Sequence, residues 1–296
     1  MTLPGFDDRD GFIWLNGSCV PWREARVHVL THGLHYGSCV FDGERTYRGR
    51  IFRSADHSRR LLNSAELLDM RIPYSIEQLE AAKSQILQLE GGGNKYVRCF
   101  AWRGSEMMAL SSQSSRVHVA VAVWPWPSMF DPEKKMKGIS LDIADYRRPD
   151  PRCAPVQSKA AGLYVIATLS KHAAERKGCD DALMLDWEGM VAECTGANIF
   201  FIADGVLHTP TADRFLNGIT RQTIIALAEE RGIMVIERRI GMSELASFSE
   251  CFICGTAAEI TPVSKIGSFM FCPSRMTETL IDAYASRVRE SPACIV

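Results

Sequence analysis

Residues 157–178 read Gln-Ser-Lys-Ala-Ala-Gly-Leu-Tyr-Val-Ile-Ala-Thr-Leu-Ser-Lys-His-Ala-Ala-Glu-Arg-Lys-Gly. Apolar residues recur here at helical spacing and Gly178 stands where a C-cap belongs, so the pattern predicts one helix over 157–178. Lys159 would lie in its first turn, where the helix dipole favours anions. A snorkelling surface lysine is the simpler interpretation. The alternative is an amine kept partly neutral in a pocket, the form that attacks a carbonyl carbon.

The composition is that of a soluble globular protein. The chain has 296 residues, of which 46% are hydrophobic and 23% are charged, with a net charge of −1. There is no basic excess for a nucleic-acid partner, and no apolar run approaches the ~18 residues of a membrane span. The first ten residues lack the apolar core of a signal peptide. Ten cysteines, many in apolar surroundings such as Cys251-Phe-Ile-Cys254, indicate buried thiols in a reducing cytoplasm.

Turn residues and apolar periodicity predict an α+β fold. A hairpin is expected over 12–22 with Asn16-Gly17 as its turn. Helices are expected over 55–70, 75–89, 220–231 and 275–289, with Asp56 and Thr220 as the N-caps of the first and third. Further hairpins follow the predicted helix 157–178. Because hairpins and helices are mixed, rather than arranged as βαβ units, the α+β class is favoured.

The same pattern predicts two domains. The aromatic and proline-rich residues around 125–132 indicate a boundary. A small N-terminal domain is therefore expected over 1–127, a linker over 128–138, and a larger C-terminal domain over 139–296.

Three stretches could bind an anion. Residues 216–223 place a glycine directly before a helix start, residues 254–258 leave a strand through small side chains, and residues 56–61 carry two arginines. Each is common as an ordinary cap, turn or solvated surface. Glu193 ends an apolar strand, where a buried carboxylate would keep a pyridine nitrogen protonated. Together with Lys159, such groups are those that bind pyridoxal 5′-phosphate (PLP).

The sequence resembles the branched-chain aminotransferase family of fold-type IV PLP enzymes. The resemblance covers nearly the whole chain. It rests on Leu30-Thr-His-Gly-Leu-His-Tyr-Gly37, Phe41-Asp-Gly-Glu-Arg45, His57-Ser-Arg-Arg-Leu61, Tyr96-Val-Arg98, Ser158-Lys-Ala-Ala-Gly-Leu-Tyr164, Glu193-Cys-Thr-Gly-Ala-Asn198, Gly218-Ile-Thr-Arg221 and Gly255-Thr-Ala-Ala-Glu-Ile-Thr-Pro-Val263. It implies a two-domain architecture with the cofactor between the domains, and at least a homodimer in which Tyr36 reaches the neighbour's pocket.

The resemblance also implies a role for each matching residue. Lys159 would be the Schiff-base lysine and proton shuttle of a ping-pong transamination between branched-chain L-amino acids and 2-oxoglutarate. The residues expected to hold PLP besides Lys159 are Arg60, Tyr164, Glu193, Ile219, Thr220 and Thr256. The residues expected to contact the substrate are Tyr36, Phe41, Tyr96, Arg98, Met108, Tyr164, Thr256 and Ala257. No metal is expected.

Arg98 is the candidate that separates the two substrates. Tyr96 and Arg98 are two residues apart on a predicted strand, so their side chains share a face. A pocket for apolar side chains must also receive the γ-carboxylate of glutamate, and desolvating a carboxylate without a cationic partner is costly. We therefore expect Arg98 to meet that carboxylate. A salt bridge between Arg98 and Glu106 is the alternative.

Three departures from the family pattern keep other activities open. Asn217 replaces a frequent proline, Glu193-Cys-Thr-Gly-Ala is less acidic than usual, and the loop Ser105–Leu110 lacks the usual glycines. The alternatives are a D-amino acid or (R)-amine transaminase, an aminodeoxychorismate lyase-type enzyme, and an inactive PLP-binding relative. The presence of Arg98 favours the branched-chain set, and Lys159 argues against inactivity. Plain core packing is the alternative role for Tyr36, Phe41 and Met108.

Overall fold

The computed structural model describes residues 5–126 and 136–290, in which the chain divides into two units. The first comprises Met1–Pro127 and Ser158–Gly162, and the second comprises Ser128–Gln157 and Leu163–Val296. The segment that carries Lys159 therefore groups with the N-terminal part of the chain, although its sequence position predicted the C-terminal domain. Most of the expected linker, 128–138, lies outside the described residues.

The first unit contains a six-stranded sheet with the order β2-β1-β6-β5-β3-β4. Its strands are β1 Phe12–Leu15, β2 Ser18–Pro21, β3 Cys39–Tyr47, β4 Arg50–Ile51, β5 Lys95–Arg103 and β6 Val117–Pro125. Its helices are α1 His32–Tyr36, α2 Ser54–Glu66 and α3 Ile76–Leu89, with a 3-10 turn at Trp22–Glu24. The predicted Asn16-Gly17 hairpin turn is confirmed, because both residues have positive φ between β1 and β2.

The two faces of this sheet differ in character. On one face, alternate residues of β3, β5 and β6 pack with the apolar sides of α2 and α3 to form the core of the unit. On the other face, β5 presents Tyr96, Arg98, Phe100 and Trp102, and β3 presents Phe41 and Gly43 opposite Phe100 and Arg98. We call this second surface the aromatic face.

The second unit contains a nine-stranded sheet with the order β12-β11-β10-β13-β14-β7-β8-β9, and β15 pairs with β14. The strands are β7 Ile139–Ile143, β8 Asp181–Leu185, β9 Val191–Cys194, β10 Asn198–Ala203, β11 Val206–Thr209, β12 Val235–Glu237, β13 Glu250–Gly255, β14 Glu259–Ile266 and β15 Phe269–Met270. The helices are α4 Tyr164–Arg176, α5 Ile219–Glu229 and α6 Arg275–Glu290, and 3-10 turns lie at Ala161–Leu163 and Met242–Ser247.

The α+β class is confirmed, but the sheet contains crossovers that the sequence pattern did not predict. Strands β7 and β8 pair in parallel and are connected through α4, and β11 and β12 pair in parallel through α5. Right-handed helical crossovers are the usual connection of parallel strands. Strand β7 was not predicted from the sequence. None of the helices in the described ranges is long and apolar enough to cross a membrane.

Two predicted helix caps are wrong. Helix α2 begins at Ser54 after Arg53, so Asp56 lies in the first turn, where its carboxylate accepts from Arg53 at 2.7 Å. Helix α5 is preceded by Gly218, and Thr220 is its second residue. Helix α3 agrees with the helix predicted over 75–89. The structure also shows a capping box between Ser75 and Gln78, which was not predicted. The two cysteines of the CxxC spacing, Cys251 and Cys254, are fully buried in β13.

Candidate active site

Lys159 lies outside the helix that the sequence pattern predicted. The α-helix begins only at Tyr164. The preceding segment is extended along β3, since Val40 and Ala160 form an antiparallel bridge and the Phe41 N–H donates to the Lys159 carbonyl at 3.1 Å. The prediction of a first-turn lysine is therefore wrong, because hydrogen bonds to a strand distant in sequence hold this segment extended.

Ser64 fixes the main chain around Lys159, although no sequence motif pointed to it. Its hydroxyl accepts from the Lys159 N–H at 3.0 Å, and its carbonyl accepts from the Ser158 hydroxyl at 2.8 Å. The ammonium of Lys159 lies 5.1 Å from the centre of the Phe41 ring. Lys159 is half-buried, so it is not the freely solvated lysine of the simpler interpretation.

Arg60 is held on α2 by a buried carboxylate that the site prediction also omitted. Its Nε and Nη2 donate to the two oxygens of Asp42 at 2.8 and 2.7 Å, and His57 Nδ1 lies 2.7 Å from the same carboxylate. Burial alone would raise the pKa of Asp42, but the charges of Arg60 and His57 outweigh burial and hold that pKa far below its usual range. Asp42 therefore stays ionised and fixes the Arg60 guanidinium.

Arg98 lies on the aromatic face without an acidic partner in the described part of the chain. Its guanidinium carbon is 4.5 Å from the centre of the Phe41 ring, and its Nη2 lies 3.4 Å from the Tyr96 hydroxyl. The alternative partner, Glu106, instead lies 3.1 Å from His118. The predicted shared face of Tyr96 and Arg98 is confirmed, and the salt bridge to Glu106 is absent from the contacts among the described residues.

Gly43 leaves space for the Tyr96 hydroxyl. Gly43 is opposite Arg98 in the β3–β5 pairing, and a Cβ atom built on it would lie 1.9 Å from the Tyr96 oxygen. Any side chain here would displace Tyr96.

Two of the predicted side-chain contacts are exposed rather than packed in the core. Tyr36 on α1 is 49% exposed, and Met108 in the loop after β5 is 39% exposed. Plain core packing is therefore excluded for both, whereas Phe41 is half-buried on the aromatic face.

In the second unit, Glu193 is paired rather than exposed at a strand end. It lies in β9 with its side chain 13% exposed, and Arg148 Nε lies 3.2 Å from its Oε1. The main chain of Arg148 is fixed by a hydrogen bond to the Leu185 carbonyl at 2.8 Å. A guanidinium at this distance favours an ionised Glu193.

The start of α5 presents main-chain donors. The first intrahelical bond is donated by Gln222 to the Gly218 carbonyl at 3.0 Å, so the amides of Ile219 and Thr220 lie in the first turn, ahead of the helical hydrogen-bond pattern. The loop before them is held by Asn198, whose side chain accepts from Gly218 N–H and donates to the Leu216 carbonyl, both at 3.1 Å. Asn198 is a further residue that the site prediction omitted.

Thr256 and Ala257 form the turn between β13 and β14. Their amides donate to no partner among the residues that the structure describes. Tyr164 begins α4 and is half-buried. The second unit thus contains a paired carboxylate, a phenol and two groups of main-chain amides, and the first unit contains an amine and two arginines.

The family profile for amino-transferase class IV matches residues 39–266. The chain belongs to this family. A probable branched-chain-amino-acid aminotransferase from Rickettsia conorii is 40% identical over 294 residues, which cover 98% of this chain and 100% of that protein. The branched-chain-amino-acid aminotransferase of Pseudomonas aeruginosa is 40% identical and covers 94% of this chain and 92% of its own length.

Solved structures show the same fold as this class IV aminotransferase. The T.th. branched-chain amino acid aminotransferase with pyridoxamine 5′-phosphate superposes with a TM-score of 0.92 at 36% identity, and the match covers 96% of both chains. A second structure of that enzyme holds N-(5′-phosphopyridoxyl)-L-glutamate and gives a TM-score of 0.90 at 36% identity, again covering 96% of both chains.

Four residues that support the site of this class IV aminotransferase were omitted from the prediction based on its sequence. Ser64, Asp42, His57 and Asn198 are all buried polar residues. Ser64 and Asp42 bond to the predicted site residues Lys159 and Arg60, His57 contacts Asp42, and Asn198 holds Gly218 directly before Ile219. Asp42, His57 and Asn198 lie within the quoted motifs and Ser64 does not, but no motif shows which distant residue each of them contacts.

Proposed function

We propose that this protein transfers an amino group between branched-chain L-amino acids and 2-oxoglutarate. One observation carries the proposal. A single aromatic ring, Phe41, has the Lys159 amine 5.1 Å and the Arg98 guanidinium 4.5 Å from its centre. An apolar side chain can pack on this surface, and a carboxylate can meet Arg98. Both substrates of the reaction thus find suitable contacts near the one amine. The names of the relatives support the same substrate class.

The donor set fits PLP. Arg60, fixed by Asp42, and the main-chain donors of Ile219 and Thr220 would hold the phosphate, as would Thr256. Tyr164 would donate to the ring oxygen, and Glu193 would accept from the ring nitrogen. When bound, the cofactor accepts the electron pair that is released at the substrate α-carbon.

The chain's own residues then have defined tasks. Lys159 Nζ would be the group that bonds PLP, and as a free amine it would act as general base and acid for the proton at the substrate α-carbon. The Ser64 hydroxyl keeps the Lys159 main chain in place during both half-reactions. The Thr256 and Ala257 amides, with Tyr96, bind the α-carboxylate. Arg98 binds the γ-carboxylate of glutamate only in the second half-reaction.

We further propose a homodimer, supported by an exposed apolar surface in the first unit. Its most exposed residues are Val29 at 74%, Leu34 at 66%, Tyr36 at 49%, Met107 at 42% and Leu110 at 83%. Helix α1 and the loop after β5, which carry most of these residues, are in contact, since His32 Nε2 lies 3.0 Å from the Ala109 carbonyl. Contiguous apolar surface of this kind usually marks an interface. Sedimentation should show a dimer for the wild type and a monomer for Leu34→Lys; a monomeric wild type would refute the proposal.

The remaining assignments follow the same reasoning. Unpaired buried cysteines such as Cys194, Cys251 and Cys254 support a cytoplasmic location. The division into domains over 1–127 and 139–296 also remains our proposal, except that residues 158–162 belong with the first.

A substrate panel tests the proposed function. Leucine, D-alanine and (R)-1-phenylethylamine are offered as donors, each with 2-oxoglutarate or pyruvate. We expect leucine with 2-oxoglutarate to give the highest kcat/KM. Preference for D-alanine or for the (R)-amine would assign one of the alternative transaminases. Aminodeoxychorismate is offered in a separate assay, in which release of pyruvate would assign the lyase.

A further inference from the structure

The segment Gly5–Gly11 packs on the aromatic face beside Arg98. Phe6 and Trp124 of β6 form an edge-to-face pair with ring centres 5.3 Å apart, and the Trp22 indole donates to the Phe6 carbonyl at 2.5 Å. The Arg9 guanidinium lies 3.7 Å from the centre of the Phe6 ring. These contacts define a structured N-terminal segment.

Ion pairs hold the rest of the segment. Arg23 contacts Asp8 at 2.6 Å and Asp10 at 2.8 Å, and the Trp22 N–H donates to the Gly11 carbonyl at 2.9 Å. Each exposed ion pair of this kind contributes little to the free energy of folding. The buried indole of Trp22 is the main anchor, because it combines packing with the hydrogen bond to Phe6.

The segment borders an open cleft of 540 Å³ whose lining includes Phe6, Asp7, Trp22, Arg98 and Trp124. Two buried donors in this lining, Arg98 Nε and Trp124 Nε1, have no hydrogen-bond partner in the part of the chain that the structure describes. An unsatisfied buried donor costs about 1–3 kcal/mol, which an entering acceptor recovers. The cleft is therefore suited to a group with acceptor oxygens.

We propose that the N-terminal segment determines specificity by controlling how strongly Arg98 binds a carboxylate. Phe6 forms part of the outer wall of the cleft and keeps water from Arg98 and Trp124. A dry guanidinium attracts a carboxylate more strongly than a hydrated one. The segment thereby favours the acidic co-substrate and has little effect on apolar side chains. This inference rests on the proposed role of Arg98 in the transamination.

The charged residues that line the cleft also favour an acidic co-substrate. Asp7 and Asp8 are the acidic residues of the cleft, and Arg23, Arg26 and Arg98 are the basic ones. Asp8 is paired with Arg23, so Arg98 is not neutralised by it. A dicarboxylate therefore finds an available cation in the cleft wall.

Binding of two non-reactive acids to the PLP-loaded enzyme tests the inference by isothermal titration calorimetry. Glutarate carries the second carboxylate and 4-methylpentanoate carries an apolar chain instead. Phe6→Ala should weaken glutarate binding about tenfold, the scale of one donor that becomes hydrated. It should change 4-methylpentanoate binding less than about twofold, within the scatter of a neutral surface substitution.

Two further variants make the result specific. Phe12→Ala is the matched control, because Phe12 is an exposed phenylalanine of the same stretch that does not line the cleft. It should leave both affinities unchanged. Phe6→Leu, which keeps an apolar wall, should restore most of the glutarate affinity. Thermal melts of all three variants verify the fold.

The outcomes separate this inference from the proposed function. If Arg98→Ala loses glutarate affinity while Phe6→Ala does not, the N-terminal segment has no role and the Arg98 assignment stands. If Arg98→Ala also leaves glutarate binding unchanged, the proposed carboxylate site itself is wrong. Equal losses of both acids in Phe6→Ala would show general damage to the unit and would likewise overturn the inference.

Discussion

Replacing Arg98 with alanine should convert a dual-substrate pocket into an apolar one. The guanidinium has no acidic partner in the described residues, and it lies over Phe41 and near the Tyr96 hydroxyl. Its removal leaves no buried acid unpaired among those residues, so the fold should be little affected. The γ-carboxylate of glutamate would lose its cation, whereas the side chain of leucine would still contact Phe41.

The size of the effect follows from the setting of Arg98. The residue is half-buried and its Nε is inaccessible to solvent, so its interaction with a carboxylate is only partly screened. Losing a desolvated charge partner costs about 2–4 kcal/mol. At about 1.4 kcal/mol per factor of ten, kcat/KM for glutamate and 2-oxoglutarate should fall by about 30- to 1,000-fold. The loss for leucine should stay below about threefold.

Single-turnover kinetics of each half-reaction provide the assay. Leucine and glutamate are mixed separately with the PLP-loaded enzyme, and 2-oxoglutarate with its pyridoxamine form, so each rate reports one substrate. Arg116→Ala is the matched control, because Arg116 is an exposed arginine of the same unit. Equal losses for leucine and glutamate in Arg98→Ala, or a lower melting temperature without a change in selectivity, would refute the reasoning.

Three further substitutions test other parts of the site. Gly43→Ala should reduce kcat/KM for all amino acids by at least about tenfold, because a new Cβ overlaps the Tyr96 hydroxyl; normal rates would contradict the α-carboxylate role of Tyr96. Asp42→Asn should weaken PLP binding, which is measured as the loss of PLP absorbance during dialysis. It should also lower the free energy of unfolding in urea by about 3 kcal/mol at pH 7, since Arg60 loses a buried partner. Because folding lowers the pKa of Asp42, its contribution to the free energy of unfolding is complete above about pH 4 and declines as the pH falls toward the lowered pKa. The free energy of unfolding of the variant should therefore change less than that of the wild type as the pH falls below about 4. Glu193→Gln should retain PLP but reduce turnover by about 100-fold or more; wild-type turnover would show that the carboxylate is only structural.

The local elements could be predicted because their signals are local. The Asn16-Gly17 turn, the helix predicted over 75–89 and the alternation of Tyr96 and Arg98 each depend on a few neighbouring residues. The start of α5 was predicted to within one residue because of the glycine before it, although Gly218 and not Thr220 is its cap. Such features depend on backbone geometry and on which side chains can share a face.

The position of Lys159 could not be predicted from local pattern. The apolar spacing of 157–178 suits a helix throughout, yet hydrogen bonds to β3 and to Ser64 keep the first residues extended. Partners more than 90 residues away decide this conformation. The parallel pairing of β7 with β8 escaped prediction for the same reason, since the sequence does not show which strands become neighbours.

The site residues came mostly from the family motifs, and the supporting residues came from the structure. Arg60 and Glu193 match motif positions, but their partners Asp42 and Arg148 could be assigned only from distances. A motif indicates the kind of group that binds a ligand. It does not show which buried group orients it.

Borohydride reduction followed by peptide mass mapping tests the central claim most directly. The claim is that Lys159, held beside β3, is the amine that bonds the cofactor. Reduction of the PLP-loaded enzyme should leave one phosphopyridoxyl group per chain, on the peptide containing Lys159, and Lys159→Ala should show neither this modification nor transamination. Modification of Lys83, Lys171 or another lysine, or an active Lys159→Ala enzyme, would contradict the account.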